Sequence, residues 1–190
     1  MEKMTSIRPY QEKDRDNVRQ VLVHCASAAA QAGEGPARTA VWTIYCDYYI
    51  ECEPQNCFVI ANENDEAVGY IMGCEDYQAY YKRFMEDYAP RTKGLGLAHR
   101  AECIGAAILP RFFQKKYPAH LHIDIHSDYQ RMGLGHQLMD ALVAHFRKKN
   151  IPGVMLGVAS GNKKGRNFYH KYGFTKLRRI PFTVVMGLKL

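Results

Sequence analysis

The most regular pattern of apolar and polar positions in the chain lies in residues 120–146. Residues 120–126 alternate, with Leu121, Ile123 and Ile125 on one side and three histidines and Asp124 on the other. This period of two predicts a β-strand. Apolar residues then recur on a 3.6-residue period from Leu134 to Phe146. That period predicts an amphipathic helix.

The periods of the apolar positions and the turn residues predict the other elements in the same way. Strands are expected at 5–8, 57–61, 67–74, 153–159, 175–179 and 182–188, and helices at 14–30, 40–51, 77–88, 103–113 and 162–171. The order predicts one α/β domain over residues 1–190, with a mixed, mostly antiparallel sheet flanked by helices. Residues 76–118 are predicted to form a helical insert. Val18, Val21, Leu22 and Cys25 form the predicted core face of the first helix.

The segment between the predicted strand and helix contains residues that could bind a ligand. It reads Gln130-Arg131-Met132-Gly133-Leu134-Gly135. Glycines allow a bulky anion to approach the backbone, and the first turn of a helix offers free N–H groups and a partial positive charge. A phosphate seat and a simple tight turn both fit these residues. The spacing is too short for G-x-G-x-x-G and lacks the Lys-Ser/Thr of a P-loop.

Composition narrows the class of protein. The chain has 190 residues, of which 47% are hydrophobic and 24% charged, as in soluble globular domains. No apolar run approaches the ~20 residues that span a bilayer, and the N-terminal segment lacks a signal-peptide core. We therefore expect a cytoplasmic protein without a membrane partner. Six cysteines without a C-x-x-C pair favour reduced thiols over a disulfide or zinc site.

The formal charge of +7 is compatible with two kinds of partner, nucleic acid or an anionic small molecule. The chain has no recognition-helix or RNA-binding aromatic motif. We therefore predict no nucleic-acid partner and assign most of the charge to the solvated surface. The basic group 163–166, near the glycine segment, could contact phosphates.

Two motifs together resemble a known family. The glycine segment, between an apolar strand and an amphipathic helix, is similar to the pyrophosphate-binding motif Arg/Gln-x-x-Gly-x-Gly/Ala of the GNAT superfamily of N-acetyltransferases. Downstream, Asn162, Tyr169 and Gly173-Phe174 match the family's last helix, Asn-x-x-Ala-x-x-x-Tyr-x-x-x-Gly-Phe, with Gly165 where alanine is usual. Within that superfamily, the chain looks most like the acetyltransferase-like domain attached to some O-GlcNAcases and its stand-alone bacterial relatives.

The resemblance implies a gap between two splayed parallel strands, here 121–125 and 153–158, that binds acetyl-CoA as co-substrate. It assigns the cofactor to the backbone of the first strand, the N–H groups of the glycine segment, and two residues near the last helix. These predicted cofactor-binding residues are Ile123, Asp124, Ile125, Gln130, Arg131, Met132, Gly133, Leu134, Gly135, His136, Asn162 and Tyr169.

The resemblance also assigns catalytic roles. Tyr169 matches the general acid that protonates the departing thiolate, and Tyr172 is the alternative. Asp124 is the predicted general base, with His122 as the alternative, and a polar network within the sheet is also compatible with both residues. The run His-x-His-x-Asp-x-His is not a standard metal spacing, and the family needs no metal. We therefore predict no metal site.

The function implied is acetyl-CoA-dependent N-acetyl transfer to a primary amine by direct attack in a ternary complex. The alternative is a non-catalytic acetyl-CoA-binding or protein-interaction module. The acceptor amine is open among amino sugars, polyamines, small amine drugs and protein amines. The aromatic residues Trp42, Tyr45, Tyr48 and Tyr49 fit core packing or a pocket wall. The insert is expected to shape acceptor specificity, and a homodimer is compatible with the family.

Overall fold

The structure of the protein is a computed structural model, which describes residues 4–190. The first three residues of the predicted domain lie outside the described part. The strands are β1 Ser6–Pro9, β2 Cys57–Ala61, β3 Ala67–Cys74, β4 Ala119–Ile125, β5 Gly153–Ala159, β6 Thr175–Ile180 and β7 Thr183–Lys189. The α-helices are α1 Arg15–Cys25, α2 Ala28–Gln31, α3 Pro36–Trp42, α4 Tyr48–Cys52, α5 Tyr77–Arg83, α6 Leu97–Ile108, α7 Leu134–Lys148 and α8 Lys163–Tyr172.

The strands form one seven-stranded sheet in the order β1-β2-β3-β4-β5-β7-β6. Every neighbouring pair is antiparallel except β4 and β5, which run parallel. The predicted fold class, a mixed and mostly antiparallel sheet flanked by helices, is therefore confirmed.

Helices cover both faces of the sheet, because β3 and β4 direct alternate side chains to opposite sides. Leu121 of β4 packs with the buried stripe of α7, which contains the six residues predicted from the 3.6-residue period, Leu134, Leu138, Met139, Leu142, Val143 and Phe146. On the other face, α1 and α3–α5 form a second core rich in tyrosine. Tyr48 and Tyr49 belong to that core, as the packing alternative for the aromatic helix predicts.

Two helices differ from the sequence prediction. The predicted helix 14–30 ends at Cys25, because Ala26 and Ser27 are extended, and a short α2 follows. Cys25 is exposed rather than in the core. The insert helix α6 begins at Leu97, six residues before the predicted start at 103.

Two further helical pieces contain π turns, at Thr43–Asp47 and Phe84–Tyr88. The first joins α3 to α4 without a break, so the predicted helix 40–51 is part of a longer one.

A buried ion pair joins β1 to the start of α1. Asp14 is 1% exposed and accepts two hydrogen bonds from Arg8, at 2.7 and 2.8 Å. It also accepts the backbone N–H of Gln11 at 2.9 Å. Arg8 also donates to the exposed Asp65 at 2.7 Å, so removal of Asp14 would leave Arg8 one partner but would leave the Gln11 N–H without its acceptor.

We therefore expect Asp14→Ala to lower the free energy of unfolding by about 2 kcal/mol, because the hydrogen bonds to the buried carboxylate are lost. The control is Asp87→Ala, which removes an exposed pair with Arg83 at 3.0 Å and should cost less than about 0.5 kcal/mol. Urea denaturation of both variants measures the difference. Equal losses would contradict the anchoring role of Asp14.

Candidate functional site

The site is built around a gap between β4 and β5. Within the described chain the two strands pair only at Ala119–Val154 and His120–Met155, and then diverge. The N–H of His126 donates to Val68 on the β3 side. Because backbone groups alternate along a strand, those of Asp124 also face β3, whereas those of Ile123 and Ile125 face the gap. The Ile125 carbonyl already accepts the side-chain amide of Gln130 at 2.9 Å.

The glycine segment lies at the end of β4 and turns sharply into α7. Arg131 and Gly133 both have left-handed backbones, with φ of 65° and 77°. The N–H of Gln130 donates to Ser127, and that of His136 donates to Gly133. The other five N–H groups of the predicted phosphate-binding site make no hydrogen bond within residues 4–190. They belong to Arg131, Met132, Gly133, Leu134 and Gly135. Free N–H groups at the start of a 15-residue helix are suited to binding an anion.

Gly135 has a packing role that its sequence motif does not reveal. A Cβ at this position would lie 3.2 Å from the ring of Phe168 and 3.6 Å from Ile125. The glycine therefore lets α8 approach the start of α7. A Cβ at Gly133, by contrast, would meet no atom of residues 4–190 within 4 Å. The left-handed φ alone therefore favours glycine at position 133.

Asn162 caps helix α8. Its Oδ1 accepts the N–H of Gly165 at 2.8 Å, and a Cβ at Gly165 would lie 2.7 Å from the Asn162 Nδ2. The glycine that departs from the family motif thus makes room for this cap. Since the cap uses Oδ1, a hydrogen bond from Asn162 to a ligand would use Nδ2.

A polar group on the other face of β4 centres on the buried Tyr70. Its hydroxyl donates to Asp124 Oδ2 at 2.9 Å and lies 3.1 Å from Nδ1 of His122. Because the phenol proton goes to the carboxylate, the phenol oxygen accepts from Nδ1–H of His122. The Nε2 atom of His122 then keeps its lone pair. Burial raises the pKa of Asp124 and lowers the pKa of His122.

Tyr169 of α8 packs between two aromatic rings, with centroids 5.3 Å from Phe168 and 5.7 Å from Phe174. Burial, assisted by the negative charge of Asp124, raises the pKa of Tyr169. The phenol is therefore protonated at neutral pH. The alternative residue, Tyr172, donates to Asp140 at 2.7 Å instead.

The helical insert and the sheet enclose a cavity of about 610 Å³, which we call the inner cavity. It lies beside the diverging strands, between His120 and His122 of β4 and Gly157 of β5. Tyr45 and Glu102 line it from the helical side, and the Tyr45 hydroxyl donates to Glu102 at 3.1 Å. Its volume is in the range of small-molecule sites.

Two of these residues were missed from the sequence. Tyr70 lies opposite Asp124 in the β3–β4 register, and only the strand pairing reveals that contact. Glu102 lies on α6 before the predicted start of its helix, so its position could not be inferred.

Residues 4–190 also bear on the predictions about cysteines, metal sites and membrane spans. All six cysteines are unpaired there, and no set of three or more His, Cys, Asp or Glu side chains is grouped to hold a metal ion. None of the helices in that range is both long and apolar enough to cross a bilayer.

Comparison with known proteins shows which family these features resemble. Residues 95–174 match the model of the acetyltransferase (GNAT) family. Among solved structures, SsHAT is 24% identical, with a TM-score of 0.84 over 97% of this chain and 98% of its own. Ard1 from Thermoplasma volcanium is 18% identical, with a TM-score of 0.61 over 98% and 97%. The NatC complex bound to Gag peptide and CoA is 10% identical, with a TM-score of 0.63 over 98% of each chain.

At these identities the solved structures demonstrate a shared fold. The family match covers the part of the chain that contains the glycine segment, the diverging strands and Tyr169. Residues 95–174 are therefore similar to the acetyltransferase (GNAT) family, and the chain shares the fold of these solved structures.

Proposed function

We propose that this chain transfers the acetyl group of acetyl-CoA to a primary amine within a ternary complex. The observation that carries the proposal is the gap between β4 and β5, with five unbonded N–H groups at its end. The glycine segment would hold the pyrophosphate. The backbone of Ile123 and the N–H of Ile125, together with Asn162, would hold the pantetheine arm as an added strand does.

Lys163 and Lys164 are exposed at the start of α8, and their positive charges would favour an anionic cofactor. Two of the residues predicted to bind the cofactor, Asp124 and Gln130, would not bind it through their backbone groups. Asp124 would contribute through its side chain, and Gln130 through the bond that orients Ile125. The SsHAT likeness supports a relationship to the stand-alone relatives of the O-GlcNAcase-associated domain. Reduced thiols are consistent with action in the cytoplasm.

The proton of the amine would leave through the group around Tyr70. His122 lines the inner cavity and has a free lone pair on Nε2, so it can contact the amine. Asp124, whose Oδ2 is 3.8 Å from Nδ1 of His122, would stabilise the imidazolium that forms. Tyr169 would then protonate the departing thiolate. The predicted base Asp124 thus acts together with its alternative, His122.

The first test concerns the glycine segment. Gly133→Ala should weaken CoA binding about tenfold, because an alanine leaves the left-handed conformation and the N–H groups then no longer converge. The control is Gly94→Ala, in the insert, which has a φ of 87° and equally open surroundings. Calorimetric titration of CoA measures both. Unchanged affinity in Gly133→Ala, or no CoA binding by the wild type, would overturn the proposed cofactor site.

The second test concerns the acid. Tyr169→Phe should lower kcat about 100-fold with little change in CoA affinity, since only the transferable proton is lost. Tyr172→Phe, on the same helix, is the matched control and should retain kcat. Thiol release under saturating substrates measures the rates. Full activity in Tyr169→Phe would rule out the acid role.

The third test concerns pH. The base must be unprotonated, so kcat should fall as the pH decreases through the pKa of His122, which burial places below the ordinary 6.5. His122→Gln should abolish this acidic limb and lower kcat about 100-fold. His170→Gln, an exposed change on α8, should leave the profile intact. A limb retained in His122→Gln and lost in Asp124→Asn would make Asp124 the direct base.

A further inference from the structure

A second depression on the surface of α6, which we call the outer groove, adjoins the inner cavity. The two share Gly105, Leu109 and Ile180 in their walls. The outer groove has a volume of about 750 Å³. One ligand could therefore lie in both, with its reacting end beside β4 and the remainder along α6.

The two compartments differ in chemistry. In the inner cavity, the Glu102 carboxylate faces two histidines and Tyr45. His120 is 6% exposed, and neither of its ring nitrogens has a hydrogen-bond partner within residues 4–190. An unpartnered buried imidazole in the wall of a cavity indicates a polar ligand group. Carboxylate, neutral imidazole and aromatic faces together favour a cation.

The outer groove is apolar and exposed. Leu97 is 88% exposed and Phe112 is 68% exposed, and both line the groove with Ile104 and Ile108. Isolated exposed apolar residues are ordinary, but a contiguous patch that adjoins a cavity marks a binding surface. In the described part of the chain, Arg100 is the charged residue that lines this groove. Its guanidinium would repel a second ammonium group.

We propose that the acceptor is a monoamine with an apolar alkyl or aryl body, and that Glu102 and His120 bind its ammonium while the outer groove binds its body. This inference rests on the proposed function and names the substrate class of the same site. It disfavours polyamines, because of Arg100, and amino sugars, because a hydroxyl-rich ring would lose its hydration in the outer groove.

The proposal predicts a graded response to chain length. With acetyl-CoA saturating, kcat/KM should rise about threefold for each methylene from propylamine to octylamine. Octylamine and 2-phenylethylamine should each exceed glucosamine and spermidine by at least about tenfold. Octylamine should also bind the CoA-loaded protein in calorimetry, which tests the site without turnover.

Two variants separate the compartments. Glu102→Gln should lower kcat/KM about tenfold for every amine and leave CoA affinity unchanged, whereas Glu86→Gln, an exposed change in the insert, should alter neither. Ile108→Asn should flatten the chain-length series and leave propylamine unaffected. Circular dichroism melting of each variant checks that the fold is retained.

The outcomes distinguish this inference from the proposed function. If octylamine binds in a way that depends on Glu102 but no amine is acetylated, the amine site is supported and the proposed enzymatic function is contradicted. Efficient acetyl transfer to spermidine or glucosamine, with no increase in kcat/KM along the alkylamine series, would support the proposed function and overturn the inferred substrate class. A dimer in sedimentation that Ile108→Asn dissociates would also overturn it, because a second copy would then cover the groove.

Discussion

The divergence of β4 and β5 is the constraint on which the rest of the structure depends. Parallel strands normally continue pairing, because each unpaired N–H and C=O would otherwise be buried without a partner. Here pairing stops after His120 and Met155, and both strands continue for several residues. The exposed edges form a slot in the middle of the sheet, and the glycine segment at the end of β4 and the inner cavity lie beside it.

The slot connects two faces that are otherwise separated by the sheet. Helices α7 and α8 bring the glycine segment and Tyr169 to one face, while the inner cavity lies on the face covered by the insert. The negative charge of Asp124 contributes to the raised pKa of Tyr169 across this gap. A reaction between ligands bound on opposite faces would therefore have its acid and its base within one electrostatic environment.

Burial has opposite effects on the groups of the site. It raises the pKa of Asp124 and Tyr169 and lowers that of His122, since each charged form loses hydration. The neutral imidazole and neutral phenol are the forms that base and acid catalysis require. The hydrogen bonds of Tyr70 add orientation, because they select the nitrogen of His122 that is free to accept a proton.

The sequence by itself determined the elements with strong local signals. The six buried residues of α7, the strands β2 and β3, and Gly173 as the cap of α8 follow from period and turn chemistry, which depend on near neighbours. The glycine segment and Tyr169 were also visible as motifs.

Only the tertiary structure decided the contacts of Tyr70, Glu102 and His120, and the exposure of α6. Those depend on strand register and on the packing of segments distant in sequence, which no local pattern encodes.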